Sequence, residues 1–341
     1  VSPPPPPLSV VVPSRDTRQL TLACLAALTA ASRARPELAG LELVLVDDAG
    51  DDGTAEAVAA SYPQVRLLRL DRQRGFTQAA NRGLAAAAGG VLLLLNSDAE
   101  VGADGDGLTA LLARFGAEPR LGIAGAALRY PDGTAQWSGG AEPTAAWLFG
   151  LASGLPSLLG RLPLYRRLRP AGGTSGTSGA SGRRGRREVA WVTGAAMAIR
   201  RAAWEQVGPL DERFRFYAQD LDLCLRARAA GWSVAVVPEF RVLHHHGATI
   251  QAAGGRRPGG GRGAQHAELL WTDLLRWAAK QGGAPAARRA ARALAAGAGL
   301  RLAGRRLATP LLPAAARDGF RADSAALAGA LAAVRAARES W

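Results

Sequence analysis

Short apolar runs recur through the first hundred residues, at Leu8–Val12, Leu41–Val46, Val65–Leu70 and Val91–Leu95. Between them lie stretches of helical composition, beginning near Thr17, Gly53 and Phe76. Runs of this length and composition suit strands buried on both faces of a sheet. Regular strand–helix alternation implies right-handed crossovers, so the pattern predicts an α/β fold with a mainly parallel sheet flanked by helices. The last run ends in the sharpest break, where five apolar residues give way to Asn96-Ser97-Asp98. Open α/β sheets gather ligand groups at the carboxyl ends of their strands, which makes Asp98 the first candidate for chemistry.

Beyond the fourth run, Leu121–Leu128 reads as a strand and Tyr130–Thr134 as a turn leading into Ala135–Ser138. Residues 170–187 collapse to Gly, Thr, Ser, Ala and Arg, a composition that buries too little apolar surface to hold one conformation, so a flexible loop is expected there. A strand over Val189–Arg200, a short helix over Ala202–Val207 and a helix over Asp220–Ala230 follow. Strand-like Val234–Val237 and Arg241–Leu243 then lead into His244-His245-His246. The expected organisation is a disordered proline-rich leader (1–7), a catalytic domain (8–250), a linker (251–264) and a basic amphipathic helical tail (265–341).

Net charge is +14, but its distribution is uneven: residues 256–341 carry 15 basic and 5 acidic side chains. Nucleic acid is a poor match, because no aromatic residues interleave with the arginine clusters. The tail combines helically spaced Leu269, Leu270, Trp271, Leu274, Leu275 and Trp277 with Arg288, Arg289, Arg292, Arg301, Arg305 and Arg306. Such a pattern fits either an anionic membrane surface or packing against protein, and Gly297, Gly299 and Gly304 argue against one long helix. The longest apolar stretch, Leu84–Leu95, falls well short of the roughly 20 residues that span a bilayer. The N-terminus has neither a basic start nor an apolar signal core, and Cys24 and Cys224 cannot build a disulfide framework. A cytoplasmic location, with peripheral attachment to the inner face of the plasma membrane, is the expectation.

Several polar groups fall at predicted strand ends. Asp47-Asp48 follows the second run, where a carboxylate can accept the imide N–H of uracil or thymine or can cap the next helix. Arg74-Gly75-Phe76 opens a helix containing Asn81 and Gly83, with Gly75 allowing backbone to approach a ligand. The first strand leads into Pro13-Ser14-Arg15-Asp16 rather than a G-x-G-x-x-G turn, so the dinucleotide fingerprint is missing there, which argues against a nicotinamide enzyme.

Taken in order, Pro13 to Asp16, Asp47-Asp48, Gly75 to Gly83, Asn96-Ser97-Asp98, Thr193-Gly194-Ala195, Gly208 to Phe214, Gln219 to Arg226 and Val242 to Gly247 resemble the inverting glycosyltransferases of family 2. The resemblance is strongest to the rhamnosyltransferase-like branch, whose GT-A fold binds nucleotide-diphospho-sugars. It implies nucleotide-sugar binding by Pro13, Asp16, Asp48, Gly75, Asn81, Asn96 and Asp98, with Mg²⁺ or Mn²⁺ held by Asp98 and His244. It also implies Asp220 as the general base. The implied reaction moves a sugar from a UDP- or dTDP-sugar to a hydroxyl of a cell-surface glycan or polyprenol-linked acceptor. Gln219 stands where the family usually has Glu, which removes a like charge beside Asp220 and leaves a catalytically impaired nucleotide- or glycan-binding homologue as the alternative. Asp222 reads as a helix N-terminal cap. A zinc site built from all three histidines is the weaker alternative, since consecutive strand residues point to opposite faces.

Overall fold

The apolar runs form strands β1 (Leu8–Ser14), β2 (Glu42–Asp47), β3 (Arg66–Arg69) and β4 (Val91–Leu95) in the computed structural model. Helices α1 (Arg18–Ala34), α2 (Thr54–Ser61) and α3 (Phe76–Ala86) connect them. The structure describes residues 6–156, 187–245 and 267–339. Most of the leader, nearly all of the 170–187 loop, the 251–264 linker, His246 and Gly247 lie outside the described residues. The chain divides into two units: residues 6–141, 187–212 and 219–245 form one, and residues 142–156, 213–218 and 267–339 the other.

The first unit continues with β5 (Ala99–Val101), α4 (Asp106–Ala117), β6 (Leu121–Arg129) and β7 (Gly139–Gly140). After α5 (Ala145–Ser153) of the second unit come β8 (Arg187–Glu188), β9 (Trp191–Val192), β10 (Ala196–Arg200), α6 (Arg201–Val207), α7 (Gln219–Ala229) and β11 (Ser233–His244). The main sheet runs β3-β2-β1-β4-β10-β6-β11-β5, with β8 beside β11. Strands β1 to β4 are parallel, as are β6 and β11, but β10 enters antiparallel between β4 and β6. The single strand expected over Val189–Arg200 is therefore two: β9 pairs with β7 in a separate ribbon, and Thr193-Gly194-Ala195 turns the chain into β10. The two runs expected before the histidines are instead one strand, β11, with a register shift between Val237 and Arg241 where Pro238 withholds an N–H.

Alternation along the central strands divides the core. Leu8, Val10, Val12, Leu43, Leu45, Leu93 and Leu95 belong to one buried cluster with Cys24, Leu25 and Leu28 of α1 and Leu108, Leu111 and Phe115 of α4. Helix α4, absent from the sequence reading, displays its signal in that i, i+3, i+7 spacing. Val11 and Val46 face the other way, toward α3, where Gly83 lets helix and sheet touch. Both cysteines are buried and free.

In the second unit α5 packs with α8 (Ala267–Ala308) and α9 (Ala314–Glu339). Helix α8 is broken at Gly282 and Gly283, the latter at φ 62°, with Pro285 opening the next helical stretch. Gly297 reads from sequence as a weak point but is a contact point: a Cβ there would overlap the backbone of Phe149. Trp271, Leu274, Leu275, Leu294, Leu327, Leu331 and Val334 are buried, so much of the tail's apolar surface is covered by its own helices, whereas Leu307 and Leu311 are 77% and 84% exposed. Among the described residues no helix is long and apolar enough to cross a membrane.

Two helical glycines carry opposite expectations. A Cβ at Gly83 would overlap Val11 and Val46, whereas one at Gly116 meets nothing within 4 Å. In urea denaturation Gly83→Ala is expected to destabilise by about 1–3 kcal/mol, despite the better helix propensity of alanine. Gly116→Ala should stabilise by roughly 0.5–1 kcal/mol.

Candidate active site

Strand β1 has β2 on one side and β4 on the other, and a switch of this kind opens a crevice at the strands' carboxyl ends. Buried hydroxyls join the two loops there. Thr17 Oγ1 lies 3.0 Å from Ser97 Oγ and 3.1 Å from Ser14 Oγ, and Ser14 Oγ lies 2.8 Å from Thr21 Oγ1. This clamp fixes the backbone from which Asn96 and Asp98 project.

Asp98, 2% exposed, meets the end of β11. Its carbonyl accepts the His245 N–H at 2.9 Å, and its Oδ1 lies 3.3 Å from His244 Nε2. On the other side of the ring, His244 Nδ1 lies 2.6 Å from Gln136 Oε1. A carbonyl oxygen only accepts, so in this amide orientation Nδ1 carries the proton; Nε2 then faces Asp98 with a lone pair in the neutral ring and with a second N–H in the imidazolium. Asn96 Nδ2 approaches Nε2 at 3.4 Å, while Asn96 Oδ1 is buried with no partner among the described residues. A carboxylate and an imidazole nitrogen side by side, with a buried amide oxygen on the neighbouring Asn96, are donor types that a divalent cation such as Mg²⁺ or Mn²⁺ takes. Among the described residues no three His, Cys, Asp or Glu side chains group around one point. His245 pairs instead with Glu100, at 2.9 Å.

The other predicted residues divide between this edge and structural work. Asp48 is buried and accepts the N–H groups of Arg74 at 2.6 Å and Gly75 at 2.9 Å, which anchors the entry to α3. The capping alternative for Asp47 and Asp48 fails, because Asp52 accepts the Thr54 N–H at the start of α2. Asp47 instead accepts the Gly50 N–H and lies 3.7 Å from Arg69, and burial raises its carboxyl above the usual range. Gly75 sits at φ 87° with open space around its Cα, so its requirement is conformational. Asp16, itself at φ 51°, accepts the Asp51 N–H at 2.8 Å. Pro13 lies within β1, paired with Val46, rather than in the turn. The Asn81 amide is fully engaged away from the cluster: it bonds the backbone of Leu210 in both directions, at 2.9 and 3.0 Å, and Glu212 at 3.1 Å.

Asp220, partly exposed at the start of α7, accepts the Gly194 N–H and the Leu221 N–H, each at 2.8 Å. Burial lifts its carboxyl above the ordinary Asp range, against the lowering effect of those two bonds. Gly194 continues into Ala195, whose carbonyl accepts the Asn96 N–H at 2.9 Å, so one three-residue segment ties Asp220 to the Asp98 edge. Asp222 is not a cap. It is wholly buried and pairs at 2.8 Å with Arg226, whose guanidinium also bonds the carbonyls of Val207 and Pro209. Sequence reasoning missed Gln136, whose only signal was its place after the Asp132-Gly133 turn.

The "Glycosyltransferase like family 2" family model matches residues 4–257 of the chain. The chain belongs to glycosyltransferase family 2. A relative 30% identical over 258 residues, covering 70% of this chain and 79% of the relative, is the N-acetylglucosaminyl-diphospho-decaprenol L-rhamnosyltransferase of Mycobacterium tuberculosis. The O-antigen biosynthesis protein RfbC of Myxococcus xanthus is 30% identical over 72% of this chain, though over 18% of its own length. Among solved structures, the mannosyltransferase PcManGT of Pyrobaculum calidifontis, in complex with GDP-Man and Mn²⁺, matches with a TM-score of 0.53. At 19% identity, over 98% of this chain and 87% of that one, it establishes the fold. This family 2 enzyme therefore has a GT-A fold and catalyses glycosyl transfer. Within it, the Asp222–Arg226 pair separates structure from chemistry: Asp222→Ala should cost about 1–3 kcal/mol in thermal or urea unfolding, because it leaves a partly buried guanidinium with its carbonyl partners alone.

Proposed function

We propose that this glycosyltransferase moves a sugar from a UDP- or dTDP-sugar to a hydroxyl of a polyprenol-linked or cell-surface glycan acceptor, with inversion at the anomeric carbon. The observation that carries the reading is the junction of Asp98, Asn96 and His244 at one strand edge, tied through Ala195 and Gly194 to Asp220. The 30% identity to a rhamnosyltransferase named for a diphospho-decaprenol acceptor supports a deoxyhexose donor and a lipid-linked acceptor.

In this reading Asp98 and His244 Nε2 would hold Mg²⁺ or Mn²⁺, with Asn96 alongside, and the bound ion would supply positive charge against the leaving diphosphate. Asp48 and the Gly75 backbone flank the base, with Pro13 and Asp16 shaping the adjoining loop and Asn81 fixing the Leu210 segment. Asp220 takes the proton of the acceptor hydroxyl as its oxygen bonds the anomeric carbon and the bond to the diphosphate oxygen breaks. Two backbone N–H bonds orient its carboxylate, and the raised proton affinity makes it a better base than an exposed Asp. Residues 8–250 are proposed as the catalytic domain. The basic 265–341 tail, with Leu307 and Leu311 exposed, supports peripheral attachment to the inner face of the plasma membrane.

The test is release of UDP or dTDP from a panel of nucleotide-sugars with polyprenyl-diphosphate acceptors, with and without Mn²⁺. Asp98→Ala and Asp220→Asn should each lower turnover by roughly 10²–10⁴-fold. Undiminished turnover in Asp220→Asn, or full turnover in chelator, would contradict the reading. Because the base works only when ionised, kcat/KM should fall as pH drops, with an apparent pKa above the roughly 3.9 of an ordinary Asp. An acid limb at or below that value would place the base elsewhere.

A further inference from the structure

Gln136 is 5% exposed and has no part in the reaction described above, yet its amide oxygen lies 2.6 Å from His244 Nδ1. Its position follows from local folding. The Tyr130–Thr134 turn is closed by Tyr130 N–H to Thr134 O and by Gly133 N–H to Tyr130 O, each at 2.9 Å, with Asp132 accepting from Thr134. The returning chain is then clamped to β6. Gln136 N–H donates to Leu128 O at 2.9 Å, and Ser138 Oγ accepts the Leu128 N–H at 2.9 Å. In the parallel pairing of β6 with β11, Leu128 lies level with Val242 and Arg129 with Leu243. A side chain fixed opposite Leu128 is thereby delivered to the ring at the end of β11.

The orientation of this amide decides what His244 offers. With Oε1 accepting from Nδ1–H, the Nε2 lone pair of the neutral ring faces the Asp98 carboxylate, 3.3 Å away, where a cation would bridge the two acceptors. With the amide turned over, its NH₂ would donate to Nδ1 and force the proton to Nε2, making His244 a plain donor to Asp98. We infer that Gln136 is a positioning residue: it holds His244 in the Nδ1–H tautomer and so sets the affinity of the Asp98–His244 edge for a divalent cation. The inference rests on reading Asp98 and His244 as the protein ligands of that ion. Partners of this kind fix the tautomer and raise the basicity of a metal-binding imidazole.

The experiment measures Mn²⁺ binding to the full chain in the presence of UDP, which carries the diphosphate but no transferable sugar, by the loss of the free-Mn²⁺ electron paramagnetic resonance signal. Gln136→Leu, which neither accepts nor donates, should weaken Mn²⁺ by roughly 10–100-fold. Gln136→Glu, which can only accept, should stay within about threefold of wild type, since it enforces the same tautomer. Wild-type affinity in Gln136→Leu, or equal losses in both variants, would overturn the role of Gln136. Should Gln136→Leu not fold, the wild-type protein decides through the ring-nitrogen chemical shifts of ¹⁵N-histidine, with the His244 signals assigned by their absence in His244→Ala. A protonated Nδ1 and bare Nε2 support the inference, and a protonated Nε2 overturns it. Asp98→Ala separates the two levels: wild-type Mn²⁺ affinity there defeats the cation reading itself. Loss there without loss in Gln136→Leu defeats only the positioning role.

Discussion

The antiparallel strand β10, hydrogen-bonded between β4 and β6, is the constraint on which the site depends. A fully parallel sheet would bring the preceding crossover back at the opposite end and leave the carboxyl end of β4 with only its own loop. Because β10 runs the other way, its beginning rather than its end lies beside Asn96. Thr193-Gly194-Ala195 is thereby placed at the edge that carries Asn96 and Asp98, with one backbone bond to Asn96 and one to the Asp220 carboxylate. The reversal also lets β6, and with it β11, run parallel to β4, so that His244 emerges at the same end as Asp98.

Around that frame the side chains fall into two classes. Ser14, Thr17, Thr21 and Ser97 form a buried hydroxyl cluster, and Asp48, Asp16 and Asp52 bind backbone N–H groups of neighbouring loops. These carboxylates are acceptors for donors that turn geometry leaves without partners. Asp98, His244 and Asn96 differ, since they meet side chain to side chain at one strand edge, the juxtaposition on which the proposed cation site rests. Preorganisation of this kind is what electrostatic stabilisation of a leaving group requires.

The strand-and-helix order was legible because each central strand is a continuous apolar run and each loop carries its own turn chemistry. Asp98 and His244 stand out in the sequence as polar breaks at the ends of such runs, and Asp220 only through the order of motifs shared with the family. What stayed hidden depends on pairing between distant segments. Nothing local in Ala196–Arg200 says that it runs antiparallel, and nothing local in Asp222 distinguishes a cap from the buried partner of Arg226. Asn81 likewise reads as a ligand group by its position, yet its amide is taken up by a segment about 130 residues away. Gly297 inverted its expected meaning, because a propensity penalty matters less than close contact with α5. Gln136 carries no signature at all; only the turn before it and the register of β6 with β11 reveal its neighbour.

The central claim is that one divalent ion joins the His244 imidazole to the diphosphate of the donor. It is tested most directly by pulsed electron paramagnetic resonance of Mn²⁺ and UDP bound to protein labelled with ¹⁵N-histidine. The account predicts coupling of the manganese to one histidine nitrogen and to phosphorus in the same spectrum, with the nitrogen coupling lost in His244→Ala. A spectrum with phosphorus couplings but no histidine nitrogen would contradict it.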